Sequence, residues 1–139
     1  GYIYPVKKDL PETFFIKEDS LRKWGYFKGA KNEERTNRKH KVNYKYTEGN
    51  MMFPDNLNSP SRTIVTGEGG SSPSRFKHVI RTKSGKLRRL TPIELERLNM
   101  FPDNHTREGT DIQRAFLMGN ALVVGLIERV GSTLISEID

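Results

Sequence analysis

The chain contains no cysteine. That removes disulfides, thiolate nucleophiles and cysteine-type zinc sites together. Histidine is scarce as well: His40, His78 and His105 stand far apart, without the close spacing that metal ligands use. No metal is expected. Long apolar runs are missing, and the longest reach four or five residues, as in Ala121–Val124. A membrane helix needs about 20 apolar residues in succession. A signal-peptide core needs roughly 7–15. Neither is expected, and the sequence reads as soluble, intracellular and free of the membrane. Acidic residues are the minority, 17 against 24 lysines and arginines, for a formal charge of +7. A basic surplus attracts polyanions at long range, nucleic acid before a membrane surface. A merely soluble basic domain accounts for the surplus about equally well.

What is present suits one domain. The chain has 139 residues and 34% of them are apolar, enough for a modest core. Residues 1–50 are polar and basic, with apolar points at Ile3, Val6, Leu10, Phe14, Phe15 and Ile16 and no sustained period. Asp19–Gly25 predicts a short helix, with Leu21 and Trp24 three apart and Gly25 able to end it. Lys28–Lys45 carries Lys28, Lys31, Arg35, Arg38, Lys39, Lys41 and Lys45 against Glu33 and Glu34 alone. It reads as a solvated loop or as a phosphate-contacting arm. Val42–Tyr46 alternates as a half-buried strand does. Arg62–Thr66 and His78–Thr82 are β-branched and short, and predict strands. Ser84-Gly85 predicts a turn, with Leu87–Leu90 returning.

Between two of these strands lies Gly67-Glu68-Gly69-Gly70-Ser71-Ser72-Pro73-Ser74-Arg75. A nucleotide-triphosphate loop would need GxxxxGK[ST] leading into a helix, and neither the lysine nor the helix is there. A mobile loop tipped with Arg75 and Lys77 suits DNA better. The last third signals helices. Thr91-Pro92-Ile93-Glu94 is a capping box with proline at the first helical position. Pro102 stops that helix by Met100. A second helix starts at Thr110 or Asp111 and runs to Gly119-Asn120. Val123, Leu126, Ile127, Val130 and Leu134 lie on one face of a third. Met-Phe-Pro-Asp-Asn occurs twice, at Met52–Asn56 and Met100–Asn104, with unlike flanks. No similarity extends beyond the pentapeptide, so it is shared turn chemistry or coincidence and not a repeat.

Arg88–Asp103 resembles the ninth conserved motif of DNA cytosine-5 methyltransferases, R-x-L-T-x-x-E-x-x-R-L-Q-G-F-P-D, with Asn99-Met100 in place of Gln-Gly. Gln113-Arg114 and Gly119-Asn120-Ala121-Leu122 resemble the tenth motif, with Leu122 a mild departure. Pro60–Thr66 resembles the threonine–aliphatic element of the family's target-recognition domain, and Gly67–Ile80 a DNA-reading loop and its strand. The resemblance covers residues 45–135 well and residues 1–44 loosely. It implies an α+β chain: a small, irregular target-recognition lobe over residues 1–87, then helices of residues 88–139 that pack on the catalytic domain. It implies that Arg88, Thr91 and Glu94 organise the two parts, and that Asn120 and Ala121 edge the S-adenosylmethionine pocket. On sequence alone Asn120 serves equally well as a helix cap, and Arg88 as an ordinary salt-bridge partner.

The family's Pro-Cys nucleophile, Glu-Asn-Val motif and Phe-x-Gly-x-Gly cofactor motif are absent. No catalytic residue is therefore assigned. The chain is expected to be the C-terminal part of such an enzyme, as a fragment or as the small chain of a split one, and to be inactive alone. Its expected partners are double-stranded DNA and the remaining catalytic portion or a separate large chain, with a self-dimer possible in isolation. A prokaryotic, cytoplasmic, restriction–modification setting is implied. DNA contacts are assigned to Lys39, Lys45, Arg62, Arg75, Lys77 and His78. Arg62 and Arg75 are candidates for reading guanine, the alternatives being phosphate contact or, for Arg62, pairing with a carboxylate such as Glu68. The rival reading is a stand-alone DNA-binding or regulatory protein that uses the recognition lobe.

Overall fold

A computed structural model describes residues 2–6 and 9–138. Two short antiparallel hairpins and four helices make up its regular structure, in keeping with an α+β class. Helix α1 (Leu21–Lys28) follows two 3-10 turns at Glu12–Phe14 and Glu18–Ser20. Strands β1 (Lys31–Thr36) and β2 (Asn43–Glu48) pair from Lys31↔Glu48 to Thr36↔Asn43. Strands β3 (Val79–Arg81) and β4 (Leu87–Arg89) pair with each other, and Phe15 bridges to Arg88. Helices α2 (Pro92–Leu98), α3 (Asp111–Asn120) and α4 (Val124–Ser136) complete the chain.

Three sequence expectations need correction. Helix α1 does not stop at Gly25 but continues to Lys28, and Gly29 closes it by donating its N–H to the Gly25 carbonyl at 2.8 Å. Trp24 and Lys28, four apart, are both buried. Packing of that face outweighs the modest cost of an interior glycine, about 0.5–1 kcal/mol. The basic stretch after it is a hairpin, not a loop. Strand β1 has no apolar alternation to betray it. It is held instead by cross-strand side chains: Lys31 pairs with Glu48 at 2.7 Å, Thr36 Oγ1 donates to Asn43 Oδ1 at 2.7 Å, and the Arg35 guanidinium lies 3.5 Å over the Tyr46 ring. Its turn is built by Asn37, whose Oδ1 accepts from the N–H groups of Lys39 and His40.

Arg62–Thr66, the third correction, forms no strand. It runs without a ladder partner into a 3-10 turn at Thr66–Glu68. Burial of Ile64 in the core satisfies its β-branched character without a sheet. Against it lies α3, and Gly119 makes the approach possible: a Cβ there would sit 2.4 Å from the Thr66 nitrogen.

The helix starts follow expectation. Thr91 and Glu94 form the capping box of α2, and Thr110 and Gln113 form one for α3. The core joins Ile3, Ile64, Ile80, Leu90, Leu95, Leu98, Ala115 and Met118. These residues come from both sides of the 87/88 boundary. The two Met-Phe-Pro-Asp-Asn copies are built differently. Asp55 of the first accepts from Arg62 and from the Val79 N–H, whereas Asp103 of the second pairs with Arg97 at 2.6 Å after a left-handed Met100. They share only an aspartate that grips an arginine.

Helix α4 has no buried residue, and Leu126 is 58% exposed, with Ile127, Val130 and Leu134 also open. By length and composition Asp111–Ser136 is apolar enough to cross a membrane. Counting only unbroken apolar runs had excluded such a span. The stretch is interrupted at 121–123 and carries Glu128 and Arg129 inside α4, and charges at a bilayer centre cost about 2.5–3.5 kcal/mol each.

Candidate functional site

Arg88, Thr91 and Glu94 form one buried joint. Strand β4 delivers Arg88, and the first turn of α2 delivers Glu94. They meet in a two-pronged pair, Nη1 to Oε2 at 2.8 Å and Nη2 to Oε1 at 2.6 Å. Glu94 also accepts from the Thr91 N–H at 2.7 Å and from the Val6 N–H at 2.9 Å. One carboxylate thus caps a helix, neutralises an arginine and ties down the N-terminal segment. Arg97 ties the same segment by donating to the Tyr4 carbonyl at 3.0 Å.

A second carboxylate hub was missed in the sequence. Glu96 is buried and accepts from the N–H groups of Asn104 and Thr106, from Thr106 Oγ1, and from Arg114 at 3.0 Å. Burial alone would raise its pKa, but the bonds from Thr106 and Arg114 outweigh that and hold it below the ordinary value. Asn99, where the motif departs from glutamine, donates Nδ2 to the Met118 carbonyl at 2.8 Å and so ties α2 to α3. No periodicity signals such ties, because both partners are polar and distant in sequence.

The glycine-rich loop uses its cations on itself. Arg62 grips Asp55 at 2.9 Å, not Glu68, and donates to the Phe76 carbonyl at 3.0 Å. Arg75 donates to Glu48, to the Phe27 carbonyl and to the Gly49 carbonyl at 2.7 Å. Lys77 is buried and donates to the carbonyls of Gly70 and Ser72. Burial and the nearby Arg89 push its ammonium below the ordinary range. His78 is 0% exposed, with Nδ1 against Glu68 at 2.9 Å and Nε2 against Ser61 Oγ at 3.0 Å. Lys28 donates to the Lys77 carbonyl, and its burial pushes its pKa down to about 8. Of the six assigned DNA-contacting residues, Lys77 and His78 have buried side chains bonded within the chain. Their side chains answer the buried carbonyls and carboxylate that a tight loop creates. Arg62 and Arg75 are engaged but half-buried.

Free positive charge lies elsewhere. Arg38, Lys39 and Lys41 stand exposed at the β1–β2 turn, and Lys45 stands exposed on β2. No carboxylate pairs with any of the four among the described residues.

At the end of α3, Asn120 is exposed and donates Nδ2 to the Phe116 carbonyl at 3.3 Å. Ala121 packs on the core and caps α3 through Met118. An open groove of about 310 Å³ runs here, lined by Thr63, Asn99, Gly119, Ala121, Leu122 and Leu126 among others. An exposed amide beside an apolar rim can border a ligand such as S-adenosylmethionine. Asn120 stands outside that groove, whose lining here is Gly119, Ala121 and their apolar neighbours. No cluster suited to a metal occurs among the described residues.

The profile of C-5 cytosine-specific DNA methylases matches residues 6–136. The chain belongs to that family. Over 130 residues this methylase-family chain is 44% identical to the Type II methyltransferase M.Sau3AI of Staphylococcus aureus, across 93% of its own length. It spans 30% of the length of that relative. No solved structure matches it. The buried Arg88–Glu94 joint and the Gly119 approach both lie within the matched residues.

Proposed function

We propose that this chain is the DNA-recognition and cofactor-edge portion of a DNA cytosine-5 methyltransferase. The enzyme would act in restriction and modification, as the Type II label of its relative suggests. Residues 1–87 supply the recognition surface, and residues 88–139 supply the ninth and tenth motifs. The carrying observation is the unpaired cationic turn of the β1–β2 hairpin, set beside a loop whose own cations are spent on shaping it. Lys39 and Lys45, with Arg38 and Lys41, contact phosphates. Arg62 and Arg75 hold the loop, and base reading by either requires it to exchange an internal partner for a guanine edge.

A cytosine methylase must take its base out of the helix to reach the ring carbon. Phosphate contacts fix the register for that step. S-adenosylmethionine supplies the methyl group when bound, and Asn120 and Ala121 border it. The nucleophile must come from a catalytic portion outside these residues, because no cysteine is present. The open face of α4, with Leu126, Ile127, Val130 and Leu134, is the surface that packs on that portion.

The test has two arms. Methyl transfer to unmethylated plasmid DNA is measured for this chain alone and after mixing with a Pro-Cys-containing methylase portion. Transfer is expected only in the mixture, and transfer by the chain alone would refute the assignment. DNA affinity is then measured against salt. Lys39→Ala and Lys45→Ala should each flatten the log–log slope by roughly 0.9 per lost phosphate contact. An unchanged slope would remove the hairpin from the interface.

A further inference from the structure

Beside the hairpin lies an open cleft of about 280 Å³, bordered by Tyr26, Arg35, Tyr46, Arg75 and Phe76. Four aromatic residues, Phe27 included, line it together with the planar cations Arg35 and Arg75. The Arg35 guanidinium is stacked on Tyr46 at 3.5 Å. Glu33 holds it edge-on, through Nε at 3.0 Å and Nη2 at 2.5 Å. Edge bonds of this kind leave a guanidinium's faces for stacking, and one face is on Tyr46. The Arg35 side chain remains 37% exposed.

Phe76 stands 53% exposed in the same cleft. An exposed phenylalanine is ordinary on a mobile loop, but this one is pinned. Its N–H donates to Ser74 Oγ at 3.3 Å and its carbonyl accepts from Arg62 at 3.0 Å. On one side Arg75 is fixed by Glu48 and two carbonyls, and on the other the Lys77 carbonyl accepts from Lys28 and Arg62. Ser74, Arg62, Arg75, Glu48, Lys77 and Lys28 thus tie down the chain on both sides of an exposed ring. The bland account of Arg35 on Tyr46 is hairpin stabilisation between neighbouring strands. That account gives no reason for an exposed Phe76 on the other wall.

We infer that this cleft is a stacking site for an unpaired nucleobase of the bound DNA, with the open guanidinium face of Arg35 and the ring of Phe76 as its platforms. Base faces stack on aromatic rings and arginine planes regardless of sequence. Lys31 and Arg75 on the walls already pair with Glu48, and Arg35 with Glu33, so the cleft offers a base its planar faces rather than free charge. Opening a base pair leaves bases without stacking partners, and a site that receives one lowers the cost of the distortion. The inference rests on the DNA-contacting reading above.

The test uses the whole chain and two duplexes of one sequence, one fully paired and one with a single-nucleotide bulge, titrated by fluorescence anisotropy at low salt. The bulged duplex should bind at least about fivefold more tightly, the lower end of what one base–aromatic stack provides. Phe76→Ala should bring the bulged duplex down to the paired one. Arg35→Lys, which keeps the charge and loses the plane, should do the same, and Phe76→Trp should retain the preference. Circular dichroism establishes that each variant is folded. Lys39→Ala should weaken both duplexes alike. Equal binding of the two duplexes, or a preference that survives both Phe76→Ala and Arg35→Lys, overturns the cleft while leaving DNA contact intact. Binding to neither duplex overturns the DNA reading and the cleft together.

Discussion

Glu94→Ala is the substitution whose cost the structure defines most closely. Arg88 is 3% exposed and Glu94 0%, so removing the carboxylate leaves a guanidinium charge buried without its partner. Breaking a buried pair in this way typically costs about 3–5 kcal/mol. The Thr91 N–H and the Val6 N–H lose their acceptor as well. Losing the cap adds about 1 kcal/mol. The sum, on the order of 4–6 kcal/mol, is comparable with the whole stability of a small domain, about 5–15 kcal/mol. Glu94→Ala should therefore be largely unfolded or unfold at very low urea. The double substitution Arg88→Met with Glu94→Gln should be far milder. It removes the charge together with its partner, and glutamine keeps an acceptor for Thr91. Urea titration followed by the single tryptophan, buried Trp24, and by circular dichroism reads both variants. A loss below about 1 kcal/mol for Glu94→Ala would refute the joint. So would a double variant as unstable as the single one.

Gly119→Ala would place a Cβ 2.4 Å from the Thr66 nitrogen and 2.5 Å from Thr66 Cα. Both are backbone atoms that cannot swing aside, so α3 must part from the Val65–Thr66 segment at about 1–3 kcal/mol or more. A urea midpoint equal to the parent's would contradict that contact. Lys28 makes a pH prediction. Its folded pKa, about 8, lies below the ordinary lysine value of 10.5. The unfolded chain therefore binds more protons between these values. The burial penalty is fully present below pH 8 and is relieved as pH rises toward 10.5, so this group adds stability across that window. Comparing the parent with Lys28→Met by urea titration at pH 7 and pH 10 isolates it, and parallel pH slopes for the two would refute it.

The sequence by itself determined what local chemistry can determine. Two helix starts were legible at Thr91 and Thr110, because a capping box closes within four residues. The β3–β4 hairpin was legible from short β-branched and apolar runs around Ser84-Gly85, which turns at a left-handed glycine. The family was legible from the resemblance of Arg88–Asp103 and Gln113–Leu122 to known methylase patterns, and the profile match over residues 6–136 bears the family out. Only the tertiary structure decided the rest. Strand β1 has no apolar period, so the hairpin emerges from cross-strand pairs rather than from a pattern along one strand. Arg62–Thr66 has strand composition and no strand partner, since a ladder requires a neighbour that composition cannot supply. Above all, charge along the chain did not say which cations are free. Arg62, Arg75 and Lys77 look as exposed in the sequence as Lys39 does. They are committed to carbonyls and carboxylates because a tight loop must satisfy its buried polar groups, and the nearest long cations are its own.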